Sequence, residues 1–301
     1  MKTRDLLLGV LVAALWGLNF VVIDEGLAGI PPLFFAAIRF ALVGLLALKI
    51  PRPACSWKYV VAVGLCMSAG QFGFLYLALA AGMPAGIASL VLQAQVPLTI
   101  VLASVAFRES VGPRKLVGVG LAIVGLVVVG MTHGSTVPVI GLALVLAAAA
   151  SWAVGNVASR KAGASGLSMV IWSALVVPVP LLGLSAALEG PASWVTALHV
   201  WGWPQTLSTA YTVIVATVVG FGLWNTLLAR YPASSVVPFA LLVPVAGLLS
   251  AWLIQHQVPP AGTIAGGLVL IAGAALALAT RKPAVASAPG RSEVWAVADR
   301  D

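Results

Sequence analysis

The 301-residue chain has very few charged residues: they make up 8% of it, against 61% hydrophobic residues. The mean hydropathy is +1.09. A soluble domain of this length could not cover its surface with so few charges, so the composition predicts a polytopic membrane protein. There are only two cysteines, Cys55 and Cys66. We predict that one lies in a loop and the other within a span, so no disulfide and no metal site is expected.

The apolar runs also lack carboxylates, and the motifs HExxH, GxSxG and the P-loop are missing. An intramembrane enzyme needs a nucleophile with a base, paired carboxylates or a metal, so the sequence disfavours an enzyme and predicts no cofactor. A channel is disfavoured because no ring of charges or carbonyl-rich loop is evident. The net charge of +8 could suggest nucleic acid. However, the basic residues are scattered singly between apolar runs, which favours membrane topology and no nucleic-acid partner.

Apolar runs of about 20 residues, the length that crosses a bilayer, recur along the whole chain. The first begins this series, so it is interpreted as a span and not as a cleaved signal peptide. No segment alternates with a period of two, which excludes a β-barrel. The sequence thus predicts an all-α protein with ten transmembrane helices: Leu6–Ile23, Leu33–Ile50, Tyr59–Leu79, Ala85–Phe107, Leu116–Met131, Val139–Val157, Met169–Leu188, Thr206–Leu228, Ser235–Ile254 and Thr263–Ala279.

Lysine and arginine lie almost entirely on one side of these spans. Of the 16 basic residues, 15 fall in the segments on that side, and the exception is Arg39, inside the second span. The positive-inside rule then places both termini in the cytoplasm.

The second half of the chain repeats features of the first. Tyr231–Val237 lies over Pro84–Leu90 at an offset of 147 residues, and Pro244 lies over Pro97. Each half holds five spans, and an odd number forces the second half to enter the membrane upside down. This inverted repeat is typical of secondary transporters, whose substrate lies near the midplane between the halves. We expect repeats at 1–134 and 135–280 and a polar, disordered cytoplasmic tail at 281–301.

Several segments resemble the EamA branch of the drug/metabolite transporter superfamily. They are Trp16–Val22, Ile38–Phe40, Gly86–Gln95, Ser151–Asn156, Trp172–Leu175, Gly220–Tyr231 and Leu241–Gly247. The resemblance implies ten spans and export of amino acids or their metabolites, such as cysteine and O-acetylserine. It also implies a Glu after the fourth and ninth spans: Glu109 fits the first position, but His256 stands at the second.

Polar and aromatic residues within spans are the candidates for a substrate cavity. Amides and aromatic faces suit the ammonium and carboxylate of an amino acid, because they offer donors, acceptors and cation–π contacts without fixed charge. The alternative is that they hold helices together, or, for the tryptophans, that they anchor the membrane interface. The candidates are Trp16, Asn19, Tyr76, Ser89, Gln93, Trp152, Asn156, Phe221, Trp224 and Asn225.

Arg39 is the one basic residue buried within a span, where a charge must face protein or water. It either bonds the carbonyls of a helix end or meets the substrate carboxylate. Pro97 and Pro244 occupy matched positions and are predicted to be hinges, whereas other prolines are kinks. Gly120, Gly125, Gly130, Gly262 and Gly266 are predicted to pack helices together, so that a monomer suffices, although a dimer through them is compatible with the sequence.

No carboxylate lies where a proton-coupled exporter commonly places one, so facilitated export is expected without that coupling. Glu109 lies among Arg108, Arg114 and Lys115 and is predicted to form a solvated ion pair. The same lack of a membrane carboxylate argues against cationic drugs, while other small metabolites or drugs remain the alternative substrates.

Overall fold

The computed structural model describes residues 1–132, 137–164 and 166–278, and these residues form helices and connecting segments without a strand. The predicted tail at 281–301, His133 and the boundary at 134/135 lie outside them. Because lipid offers no hydrogen bonds, a spanning chain must pair its backbone internally, and helices do this. The helices are α1 (Thr3–Gly26), α2 (Pro32–Leu48, its last turn 3₁₀), α3 (Trp57–Ala80), α4 (Ala85–Phe107), α5 (Pro113–Met131), α6 (Val139–Ala162), α7 (Leu167–Ala174 and Pro178–Leu188), α8 (Pro191–Val200), α9 (Trp203–Arg230), α10 (Val237–Gln255) and α11 (Ala261–Leu278).

Eight of the helices in the described residues are long and apolar enough to cross a membrane. The two segments of α7 make a ninth span if they are taken together across their 44° bend, and α2 is apolar but shorter. The bend lies just before Pro178, as expected of a proline kink. A multi-spanning helical protein is therefore confirmed, while the count of ten spans stays a prediction.

Helices α1 and α6, which begin the two halves, run in opposite directions. The end of α6 lies beside the end of α4, where Arg160 meets Glu109. The start of α4 lies beside the end of α10, since a Cβ on Gly86 would come within 3.1 Å of Ala251. The end of α10 lies beside the end of α1, where Gln255 meets Asp24. The end of the bundle that carries Arg108, Arg160 and Arg230 is called the basic end below, and the other end, with Asp24, Glu25 and Glu189, the far end.

Local irregularities recur in the two halves at nearly the same spacing. The π-helical segments Gly64–Gly70 in α3 and Tyr211–Val219 in α9 begin 147 residues apart. The 3₁₀ segment Leu92–Ala94 interrupts α4, and the 3₁₀ segment Val237–Leu242, the first part of α10, separates the short helix Ala233–Val236 from the α-helical part of α10. Interrupted helices of this kind are tolerated in membranes where they face protein or a cavity.

The left-handed residues that end α4 and α10 are Arg108, with a φ of 54°, and His256, with a φ of 55°. This match differs from the sequence alignment by one residue: His256 corresponds to Arg108, and Gln257 takes the place opposite Glu109. The expected equivalence of Glu109 with His256 is therefore displaced by one position at the helix ends.

Small residues bring two pairs of helices into backbone contact. Helices α5 and α11 cross at Gly125, where an added Cβ would lie 2.3 Å from the backbone nitrogen of Leu270. Helices α1 and α10 cross at Gly17, where it would lie 2.7 Å from the carbonyl oxygen of Val243. The predicted packing role thus fits Gly125, but Gly120 faces open space, with nothing within 4 Å of its added Cβ.

A short helix at the far end, α8, was not expected from the sequence, which predicted a loop there. The Glu189 carboxylate before it accepts hydrogen bonds from the backbone N–H groups of Leu33 and Phe34, at 2.8 and 3.3 Å, and so caps α2. Trp194 of α8 stacks on Phe34, with ring centroids 5.6 Å apart. These contacts fix the start of α2, the helix that carries Arg39.

Candidate functional site

Three aromatic residues from the predicted set meet between α1 and α9. The ring centroid of Trp16 lies 5.1 Å from that of Phe221 and 5.3 Å from that of Trp224. The indole N–H of Trp16 donates to the carbonyl oxygen of Ala216 at 3.0 Å. Since Ala216 lies in the π-helical segment of α9, this irregular stretch holds the indole in place. The three rings are half-buried, and together they form an aromatic wall between the two halves.

A polar cluster joins α4 to α6. The amide nitrogen of Asn156 donates to Gln95 Oε1 and to Thr99 Oγ1, both at 3.1 Å. Gln93, which the sequence favoured over Gln95, is buried two residues away. Thr99 was missed altogether, although it stands four residues after Gln95, the spacing that puts two side chains on one helix face. Asn156 therefore bridges α4 and α6 in this conformation.

Arg39 is buried in an aromatic environment on α2, with 5% of the residue exposed. Its guanidinium carbon lies 4.2 Å from the ring centroid of Phe72 and 5.1 Å from that of Phe40. One terminal nitrogen donates a long hydrogen bond, 3.5 Å, to the hydroxyl of Tyr76. The ion pairs found in the described residues do not include Arg39. A buried cation with aromatic and hydroxyl neighbours can bind a carboxylate as an additional partner.

Three of the predicted side chains carry a buried polar atom without a hydrogen-bond partner. They are Asn19 on α1, through Oδ1, Arg39 on α2, through Nε, and Trp152 on α6, through Nε1. Leaving a buried donor or acceptor unpaired costs about 1–3 kcal/mol, so each such atom calls for an explanation. Four further atoms of this kind lie outside the predicted set, on Ser208, Thr209, Gln255 and Gln257. Of the three atoms in the predicted set, one is an acceptor and two are donors, which an ammonium and a carboxylate could satisfy.

Ser89 and Asn225, both predicted to contact substrate, make close contacts with other parts of the protein. The hydroxyl of Ser89 donates to the carbonyl oxygen of Gly86 at 2.6 Å, and Ser89 packs against Gly247 of α10. Asn225 is half-buried and lies against Gly166, whose added Cβ would be 3.3 Å from the amide nitrogen. Ser89 therefore has an evident packing role, while the part of Asn225 in a cavity stays a prediction.

Pro97 and Pro244 lie at equivalent places in α4 and α10. Each is buried, and each stands in the first turn of a 13-residue segment that follows a 3₁₀ break, Gln95–Phe107 and Val243–Gln255. Their role as hinges stays a prediction.

A bidentate ion pair closes α4 against α6 at the basic end. The guanidinium of Arg160 donates to both carboxylate oxygens of Glu109, at 3.1 and 2.5 Å. It also lies over the ring of Phe107, with its central carbon 4.1 Å from the ring centroid. The hydrogen bond from Arg160 lowers the pKa of Glu109 below its usual value, so this carboxyl is ionised at neutral pH. The predicted solvated ion pair of Glu109 exists, but its partner is Arg160 and not one of its sequence neighbours.

Two further polar contacts lie at the ends of α1. At the far end, Gln255 Nε2 donates to Asp24 Oδ2 at 2.7 Å and to Glu25 Oε1 at 2.9 Å. At the basic end, the buried Asp5 accepts from Tyr231 at 2.6 Å and from Arg230 at 3.3 Å. None of these pairs could be read from the sequence, because their members stand more than 220 residues apart. The described residues show no cluster of His, Cys, Asp and Glu that could hold a metal.

Exposure separates the predicted residues into two sets. Asn19, Arg39 and Tyr76, from the part of the bundle near the far end, are buried. The residues nearer the basic end are half-exposed: Trp152, Asn156, Phe221, Trp224 and Asn225. The polar and aromatic groups of the second set are thus the more accessible in this conformation.

Interrupted helices and polar groups buried within spans are typical of membrane transporters. Comparison with known proteins agrees, since the sequence profile of the EamA-like transporter family matches twice, at residues 3–131 and 139–279. The chain belongs to this family. With eight or more apolar helices and relatives in bacteria, it is a multi-pass protein of the bacterial inner membrane.

Two curated relatives are similar over most of the chain. A probable amino-acid metabolite efflux pump of Escherichia coli is 43% identical over 265 residues, covering 85% of this chain and 89% of the relative. Its counterpart in Salmonella typhimurium is 40% identical over 281 residues, covering 91% and 94%. A crystal structure that is 21% identical, with a TM-score of 0.62, covers 92% of this chain and 97% of its own, which supports the fold alone.

Proposed function

We propose that this protein exports amino acids or their metabolites from the cytoplasm by alternating access around a central cavity. The observation that carries the proposal is the set of unpaired polar atoms on α1, α2 and α6. Asn19 Oδ1 would accept from the substrate ammonium, and Arg39 Nε and Trp152 Nε1 would donate to its carboxylate. The names of the two relatives, which describe efflux of amino-acid metabolites, support the same substrate class.

The architecture that goes with this function has ten spans in two inverted halves, 1–134 and 135–280, with both termini in the cytoplasm. Opposite directions of α1 and α6 and the recurring π and 3₁₀ segments support it. The 3₁₀ breaks beside Pro97 and Pro244 would be the hinges between the inward-open and outward-open states. The remaining aromatic and amide residues, from Trp16 and Gln93 to Trp224 and Asn225, would line the path on either side of the central site.

Export would proceed without a proton-coupled carboxylate. Each acidic residue within the described part of the chain lies near a helix end and has a polar partner: Asp5, Asp24, Glu25, Glu109 and Glu189. None is left unpaired at the middle of a span, where burial would raise a carboxyl pKa into the range that proton coupling needs. The solute gradient alone would then drive export when the cytoplasm accumulates substrate.

The direct test is counterflow with the purified protein in proteoliposomes, using a panel of labelled neutral, acidic and basic amino acids together with O-acetylserine. We expect exchange of at least one of them. Asn19→Ala should weaken half-saturation by about ten- to hundredfold, because a hydrogen bond to a charged group, about 1.5–3 kcal/mol, is lost. Ser89→Ala is the matched control, since this hydroxyl already bonds within α4. A lack of exchange with every compound would refute the substrate class.

The proposed orientation predicts which ends are reached from outside the cell. In a Cys55→Ser, Cys66→Ser background, single cysteines at Ala28 and Val258, both exposed at the far end, should react with an impermeant maleimide in intact cells. Cysteines at Ser110 and Lys161, exposed at the basic end, should react only after permeabilisation. The reverse labelling pattern would show that the far end is cytoplasmic and would overturn the proposed orientation.

A further inference from the structure

Helices α4 and α10 each end in a segment of the same length after the 3₁₀ break. The segments are Gln95–Phe107 and Val243–Gln255, 13 residues each and about 20 Å long at 1.5 Å per residue. A 3₁₀ stretch and a buried proline at the base of each segment are the usual features of a position where a helix bends. These two segments, called the α4 arm and the α10 arm, point to opposite ends of the bundle.

The tip of each arm is tied to the first helix of the other half. The α4 arm leads into Glu109, which Arg160 of α6 holds through two hydrogen bonds. The α10 arm ends in Gln255, which donates to Asp24 and Glu25 of α1. Asp24 and Arg160 are equivalent in the two halves, because each stands eight residues after a tryptophan of the repeated motif, Trp16 or Trp152.

The two arms differ in how firmly the rest of their length is packed. The α10 arm has four buried residues, and its Gly247 lies against Ser89 and close to the backbone of Gly17. The α4 arm has only Val96 and Pro97 buried, both at its base. Beyond these, its polar link to α6 consists of the Asn156 cluster and the ion pair at the tip.

We infer that the Glu109–Arg160 pair and the Gln255–Asp24/Glu25 contact are the two end gates of the transport cycle, and that the Glu109–Arg160 pair is the principal lock of the looser gate, at the basic end. The inference rests on the proposed alternating access. Opening the basic end requires the α4 arm to swing away from α6, which breaks the ion pair and its stacking on Phe107. Opening the far end requires the α10 arm to move away from α1. This movement is opposed both by the packing at Gly247 and by the hydrogen bonds of the Gln255 amide.

The test measures the gates without any substrate, by electron paramagnetic resonance distances in the full-length protein in lipid nanodiscs. Spin labels at Ser110 and Lys161 report the basic end, and labels at Ala28 and Val258 report the far end, in the cysteine-free background. Glu109→Gln should raise the population of long distances at the basic end by about two- to fivefold. This is the fold-change expected from the loss of one exposed ion pair. Gln255→Ala should change the far-end distances less, because Gly17 and Gly247 still pack.

Two controls keep the result specific. With the basic-end reporter moved to Ala164, Lys161→Gln removes a neighbouring cation over the same Phe107 ring, 5.8 Å away, without touching the ion pair, and should leave the distances unchanged. Exchanging the charges, Glu109→Arg with Arg160→Glu, should restore the short distances. Unchanged basic-end distances in Glu109→Gln, or a Lys161→Gln variant that opens equally, would overturn the assignment. If the spin-label distances change as expected but no compound gives counterflow, the proposed substrate class is refuted and the assignment of the two gates stands.

Discussion

Replacing Gly125 with leucine should leave little folded protein in the membrane. A Cβ at this position would lie 2.3 Å from the backbone nitrogen of Leu270 and 2.6 Å from the carbonyl oxygen of Gly266. Backbone atoms cannot turn aside as a flexible side chain can, so α5 and α11 would have to separate along their whole crossing. Overpacking a tight core commonly costs about 1–3 kcal/mol, and a forced movement of two helices places this change at the upper end or beyond.

The matched control is Gly120→Leu on the same helix. Gly120 is exposed and has nothing within 4 Å of an added Cβ, so leucine there would face lipid. It should fold at least as well as the wild type, because leucine also has the higher helix propensity. The measurement is the monodisperse fraction and the melting temperature of the detergent-solubilised protein. Equal loss in both variants would mean that α5 is sensitive to any substitution, and that the crossing at Gly125 has no special part.

The helix pair was predictable from the sequence, but the contact face was not. Glycines in the fifth and tenth predicted spans indicated that the two helices pack together, and they do so at Gly125. However, α5 is apolar on every side, so no periodicity distinguishes Gly120, which faces outward, from Gly118, which packs against the backbone of α11. Hydrophobicity determines burial in water, but it gives little information on which face of a helix meets protein when the solvent is lipid.

The sequence predicted which residue types form the site, but it predicted only in part which other residues they contact. Asn156 and Arg39 stood out because polar groups in the middle of apolar runs are costly unless they have a role. Trp16 stood out because it lies deeper than an interface anchor. Their actual partners, such as Gln95, Thr99 and Ala216, depend on the three-dimensional packing and on the π-helical segment. Helix α8 escaped prediction for a different reason: a 10-residue helix between two spans is too short to stand out by length.

Replacing Arg39 with leucine should weaken substrate binding strongly and leave the fold intact. A buried cation without an acidic partner is expensive, so exchanging it for an apolar side chain should be neutral or stabilising for the unliganded protein, even though leucine is shorter than arginine. Loss of a charge-assisted contact to the substrate carboxylate, about 1.5–3 kcal/mol, should weaken binding by about ten- to hundredfold. We therefore expect transport to fall to a few per cent of wild type at low substrate concentration.

The decisive measurement compares the melting temperature with and without saturating substrate, using the compound that gives counterflow. Wild type should be stabilised by substrate, while Arg39→Leu should melt at or above the wild-type temperature and should be stabilised much less by the same substrate concentration. Arg39→Lys keeps the charge but loses Nε and the planar contact with Phe72, so its response should be partial. If Arg39→Leu instead melts lower and still responds to substrate, then Arg39 serves to hold α2 against α3 through Phe72 and Tyr76, and the carboxylate is bound by other donors.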